Sequence, residues 1–134
     1  MRINITGNAG SGKSTWAKHF ATTFDIPLLG IDSILWKPGW EQASPEEFND
    51  RLTPLLEEKS WVIDGVSHRV RDKADYIILL DVPRTRCAWR CIKRNRGELV
   101  HSRPGLADGC PEWGIAPTLA RIIKDVPKNT RPAI

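Results

Sequence analysis

The chain has 134 residues, 40% apolar and 27% charged, with a formal net charge of +4. That is ordinary for one soluble globular domain, and no run approaches the roughly 20 apolar residues of a membrane helix. Three cysteines, Cys87, Cys91 and Cys110, are too few and odd in number for a disulfide framework.

The first apolar stretch, Ile3 to Ile5, runs straight into a Gly-rich loop, so no cleaved leader is expected. With the odd cysteine count, this points to a reducing, cytoplasmic setting and no membrane partner. Arg2 to Thr6 reads as a strand ending at Gly7. Lys13 to Phe24 reads as a helix with Trp16, Ala17, Phe20 and Phe24 on one face. Leu28 to Ile31, after Pro27, is a second short apolar run. Ser44-Pro45-Glu46-Glu47 has the makings of a helix start: a cap residue, proline at the first position, then acids near the positive end of the dipole. That helix should reach about Lys59, with Phe48, Leu52, Leu55 and Leu56 inward.

Trp61 to Ile63 is a third strand, closed by Asp64-Gly65. Asp75 to Val82 is a fourth, and its apolar core from Tyr76 to Leu80 suits burial on both faces. Arg84 to Arg96 should be helical, 97–114 a loop rich in Gly and Pro, and Pro117 to Asp125 a last helix. Strands alternating with helices predict an α/β fold, a parallel sheet with helices on both faces. Cys87 and Cys91 lie four apart in a helix without a Cys-x-x-Cys pair, so they read as structural thiols rather than zinc ligands with Cys110 and His101.

The strongest motif is Gly7-Asn8-Ala9-Gly10-Ser11-Gly12-Lys13-Ser14, followed by Thr15. It matches G-x-x-x-x-G-K-[ST] and lies between a strand and a helix. Glycines let successive N–H groups turn inward toward phosphate oxygens, and the helix start adds its positive dipole. Lys13 would meet the β- and γ-phosphates of ATP or GTP, and the Ser14 hydroxyl would face Mg²⁺. Two acids end short strands. Asp64 is placed as a Mg²⁺-linked acid or as a turn residue before Gly65. Asp32 is placed to accept a proton from an acceptor hydroxyl or to cap a helix. Asp81, followed by Val82 and Pro83, reads as structural.

Between Arg84 and Arg103 stand seven basic residues and one acid, Glu98. Arg86, Arg90 and Arg94 recur every four residues on one helix face, extended by Lys93, Arg96 and Arg103. Such cations suit a phosphoryl group in transfer, and a loop like 97–114 could close over it and exclude water. A basic patch also suits nucleic acid, which leaves DNA open as a partner.

The stretches 7–15 (GNAGSGKST), 31–40 (IDSILWKPGW), 61–65 (WVIDG), 80–94 (LDVPRTRCAWRCIKR) and 102–112 (SRPGLADGCPE) together resemble the adenylate kinase-like group of small P-loop kinases. More narrowly, they are similar to the small proteins labelled DNA topology modulation protein. The resemblance implies a P-loop NTPase three-layer α/β/α sandwich. It implies MgATP as ligand and γ-phosphoryl transfer to a nucleotide or a small hydroxyl compound. It matches Asp64-Gly65 to the Asp-Gly after the third strand of nucleoside monophosphate kinases, Arg90 and Arg94 to the pair entering their lid, and Asp32 to an acceptor-side acid. The chain departs from the pattern at Val66-Ser67 and Gly105, and in the aromatic-free helix Ile115 to Lys124. The resemblance stops at Arg131-Pro132, where relatives continue into a fifth strand and a further helix. The expectation is therefore a four-stranded sheet in the order second, third, first, fourth. Its fourth strand would be an edge that pairs with a partner chain or lies under the tail.

Overall fold

The computed structural model describes residues 1–95 and, farther on, 117, 118, 120, 121 and 123–125. Six strands and five helices occupy the first part: β1 (Arg2–Gly7), α1 (Lys13–Phe24), β2 (Leu28–Gly30), α2 (Ile31–Leu35), β3 (Trp36–Lys37), β4 (Glu41–Gln42), α3 (Pro45–Glu57), β5 (Trp61–Asp64), α4 (His68–Lys73), β6 (Tyr76–Leu80) and α5 (Arg84–Asn95). The later described residues are helical.

Four strands form one parallel sheet in the order β2-β5-β1-β6, as the sequence predicts. The alternation along β5 shows how it is buried. Trp61 and Ile63 point into a cluster with Ile31, Ile34, Leu52, Leu56 and Val70. Val62 points the other way, to Ile3, Ile5 and Ala17. Successive side chains of a strand face opposite sides of the sheet, so helices are needed on both faces. α1 covers one face, and α2, α3 and α4 cover the other. This is the α/β/α sandwich of a P-loop NTPase.

Helix α3 starts as the sequence dictates. Ser44 Oγ accepts from the Glu47 amide, and Glu47 Oε2 accepts from the Ser44 amide at 2.8 Å. This reciprocal capping box satisfies two amide donors at once.

Several expectations change. The 36–42 segment, with no assigned structure in the sequence reading, is a two-stranded antiparallel hairpin carrying the edge-to-face pair Trp36–Trp40. Helix α4 is also new. β6 is not buried on both faces: Tyr76 is 61% and Ile77 40% exposed. Among the described residues its one strand neighbour is β1, and no described strand lies on its other side. On α1 only Ala17 is buried. Trp16 and Phe24 are exposed and stack with His19 and Phe20 in a surface ridge, because the short β1–β5 face below is already filled by Ala17 and Phe20. The 97–114 segment, Arg96, Arg103, Cys110, His101 and the expected tail strand lie outside the described residues.

Candidate phosphate site

β1 passes through the centre of the sheet and delivers its end, Gly7, to the C-terminal edge, where it pairs with Leu80 of β6. The chain then turns through Asn8, Ala9, Gly10, Ser11 and Gly12 into α1, with Lys13, Ser14 and Thr15 in the first turn. Gly12 caps α1 in the left-handed region. Gly10 also has a positive φ of 76°, and a Cβ there would come within 2.6 Å of the Cys87 carbonyl oxygen and 2.9 Å of Cys91 Sγ. Only glycine fits, because the loop is pressed against α5. Cys87 and Cys91 are both buried and form no disulfide. Burial, with Cys91 alongside, pushes the Cys87 thiol up and keeps it protonated, against a weaker pull from Lys13 and Arg90.

Two carbonyls of the loop are met by side-chain donors. Lys13 Nζ donates to the Asn8 carbonyl at 2.8 Å, which also accepts from the Ser11 amide at 3.2 Å. Arg90 Nη1 donates to the Ser11 carbonyl at 3.4 Å. Thus Arg90 lies against the loop itself, one turn from Cys87 and next to Cys91. Arg94 is half-buried farther along α5. Within the loop the Ser11 and Ala9 amides donate to the Asn8 carbonyl and Asn8 Oδ1, while the start of α1 brings the positive end of its dipole to the same loop.

Asp64 ends β5. Its register opposite Ile5 on one side and Gly30 on the other sets it between the loop strand and β2. Ser14 Oγ donates to Asp64 Oδ2 at 2.5 Å. The next residue, Gly65, has φ 143°, and a Cβ there would lie 2.6 Å from Ile31 Cβ, so the chain can turn past α2 only without a side chain. Asp32 is the second residue of α2, two beyond Gly30, with an exposed side chain. It is not the helix cap that the sequence allowed, since Gly30 holds that place. Asp81 follows β6 directly and is exposed. Lys13, Ser14, Asp64 and Asp32 therefore share the C-terminal edge of one parallel sheet, where ligands of open α/β sheets bind.

A Mg²⁺ ion is a hard cation that takes oxygen ligands, few of them from protein. A hydroxyl and a carboxylate in hydrogen-bond contact beside a phosphate loop fit that demand, and Ser14 and Asp64 are the residues that would hold it.

Sequence reasoning missed Asn4. Its side chain is 1% exposed at the centre of β1 and donates to the carbonyls of Ile63 at 3.1 Å and Gly65 at 3.2 Å, on either side of Asp64. A polar residue between Ile3 and Ile5 in a central strand was the available signal.

No family model and no curated protein matches the chain. Solved structures do. A gluconokinase from Sinorhizobium meliloti 1021 superposes with a TM-score of 0.52 at 16% identity, covering 96% of this chain and 97% of that one. A shikimate kinase from Aquifex aeolicus VF5 superposes with a TM-score of 0.52 at 18% identity, covering 99% and 98%. At such identities the likeness establishes the fold, that of small P-loop kinases.

Proposed function

We infer that this protein is a small kinase. It binds MgATP in the 7–15 loop and passes the γ-phosphoryl group to a small hydroxyl compound or a nucleotide. The observation that carries this reading is the Ser14–Asp64 contact beside Lys13, on the sheet edge that also bears Asp32. The fold adds support, since both structural neighbours carry the names of small-molecule kinases. It also agrees with the likeness to adenylate kinase-like proteins in the motifs.

In this reading the loop amides and Lys13 bind and orient the triphosphate. Bound Mg²⁺ would neutralise charge on the phosphates and fix their geometry. Ser14 and Asp64 hold their oxygens toward that position. Asp32 takes up the proton of the acceptor hydroxyl as it attacks. Arg90, with Arg94, meets the negative charge spread over the group in transfer. The exposed basic residues Arg84, Arg86, Arg90 and Lys93 on α5 support a second reading, a nucleotide-dependent protein acting at DNA.

The test is ADP release from MgATP across a panel of nucleoside monophosphates, sugar acids and polyols, with and without duplex DNA. Acceptor-dependent release without DNA supports the kinase. Release that needs DNA, together with duplex binding that weakens steeply with salt, supports the second reading.

A further inference from the structure

Asn8 is 4% exposed, and its carbonyl and both polar atoms of its side chain are engaged. Its carbonyl accepts from Lys13 Nζ and the Ser11 amide. Its side-chain Oδ1 accepts from the Ala9 amide at 2.8 Å. The remaining group leaves the loop: Nδ2 donates to the backbone carbonyl of Ile123 at 2.8 Å, 115 residues away. Ile123 sits in the helical stretch at 117–125 and is half-buried.

The acceptor is one that its own helix cannot satisfy. A helical carbonyl pairs with the amide four residues on. Four residues beyond Ile123 stands Pro127, which has no N–H. The Ile123 carbonyl therefore lacks its usual α-helical donor, and the Asn8 amide donates to it. Because Oδ1 of the same amide is tied to Ala9, the direction in which Nδ2 points is set by the phosphate loop.

We propose that Asn8 is a positioning residue that latches the 117–125 helix to the phosphate loop, so that occupancy of the loop and docking of that helix are coupled. The coupling rests on the kinase reading for its ligand, whereas the latch itself does not. Phosphate held by the loop amides fixes the loop, and a fixed loop holds Nδ2 on the Ile123 carbonyl. By linkage, docking of the helix favours phosphate by the same factor. An undocked helix would leave a buried amide donor and a helix-end carbonyl unpaired, which disfavours partial release.

The experiment is hydrogen exchange read by mass spectrometry on peptides spanning 117–125. Parent, Asn8→Ala and Asn8→Ser are compared, each without ligand and with the Mg²⁺ complex of a non-hydrolysable ATP analogue, whose Kd is measured by calorimetry. A serine hydroxyl can still accept from the adjacent loop amide but is too short to reach Ile123. Without ligand, both variants should exchange faster than the parent in this segment, by about fivefold or more, the low end of ordinary coupling. With the analogue added to equal occupancy, set from each protein's own Kd, exchange there should slow in the parent and not in Asn8→Ser. A helix that merely stabilises the fold would keep its response to ligand. Equal ligand-induced slowing in Asn8→Ser and parent, or ligand-free exchange unchanged by both substitutions, overturns the latch. A parent that binds no analogue overturns the kinase reading and the coupling together, while the ligand-free comparison still decides the latch.

Discussion

The side-chain amide of Asn4 donates to the carbonyl of Gly65 at 3.2 Å, from the buried centre of one strand to the turn beyond its neighbour. The second bond, to Ile63, brackets Asp64 from the other side. The acid that meets Ser14 is thus positioned by a residue that touches no ligand. Asn4→Ala should cost about 1–3 kcal/mol of stability, the usual penalty for orphaning buried polar partners. It should also weaken the Mg²⁺ dependence of nucleotide binding, because the Asp64 turn loses both ties. Urea unfolding and calorimetry with and without Mg²⁺ measure the two effects. Loss of stability with an unchanged Mg²⁺ dependence would show that Asn4 supports the sheet alone.

Lys13→Ala should abolish most MgATP binding, since the β/γ charge then has no fixed cation. Ser14→Ala should keep much of the Mg²⁺-free nucleotide affinity and lose the gain that Mg²⁺ brings. Titration calorimetry in both conditions separates them. A Lys13→Ala protein that binds MgATP like the parent would remove the phosphate loop from the site.

Glu47 ties α3 to the β3–β4 hairpin. It completes the α3 cap and pairs with Lys37 of the β3–β4 hairpin at 2.7 Å. The hydrogen bond from Lys37, then that from the Ser44 amide, lowers its carboxyl from 4.5 to about 2. A carboxyl depressed on folding stabilises fully above its unfolded value, and that share is lost as pH falls toward its folded value. The stability advantage of the parent over Glu47→Gln should therefore be constant at neutral pH and shrink from pH 4.5 toward about 2. Glutamine can still close the capping box, so the difference isolates the charge. Denaturant midpoints against pH provide the readout, and a pH-independent difference would contradict the assignment.

How far the sequence could be read follows from where the determinants lie. The phosphate loop was legible because its chemistry fixes residue types at fixed spacing over eight consecutive positions. The strands of the sheet were legible because each was a distinct apolar run, and their order followed from the resemblance to small P-loop kinases. The 36–42 hairpin was not, because its strands are two residues long and carry no alternation. Asn4 and the bond from Asn8 to Ile123 were not, because each depends on a partner 59 to 115 residues away. The exposure of Trp16 and Phe24 was not legible, because helical spacing gives a face and not what covers it.

Arg90 touches the Ser11 carbonyl, so Arg90→Ala bears on the loop as well as on any charge in transfer. If its main role is to meet charge that develops in the transition state, kcat should fall by tenfold or more, roughly 1.4 kcal/mol, with Kd for MgATP changed much less. Single-turnover kinetics beside calorimetry distinguish the two. A rise in Kd with kcat intact would make Arg90 a support of the loop.

The last expectation concerns the open flank of β6. The strand runs Tyr76-Ile77-Ile78-Leu79-Leu80 and pairs through its whole length with β1, from Ile3 opposite Tyr76 to Gly7 opposite Leu80. Parallel pairing on one side leaves alternate N–H and C=O groups directed to the other, where no described strand lies. Edges in natural sheets are usually blunted by lysine or proline within the strand. Here Asp75, which is bound to Arg2 at 3.0 Å, and Pro83 stand only at its ends. Tyr76 and Ile77 add exposed apolar surface to the same strand. A second chain could add its own strand there, so self-association that rises with concentration is expected in sedimentation velocity. Ile77→Lys would place a charge on the exposed face of the edge strand and should return the protein to monomer, and Ile77 stands three residues before Leu80, the partner of Gly7. A parent that sediments as a monomer at every concentration, with β6 amides exchanging slowly, would show instead that the rest of this chain covers the edge.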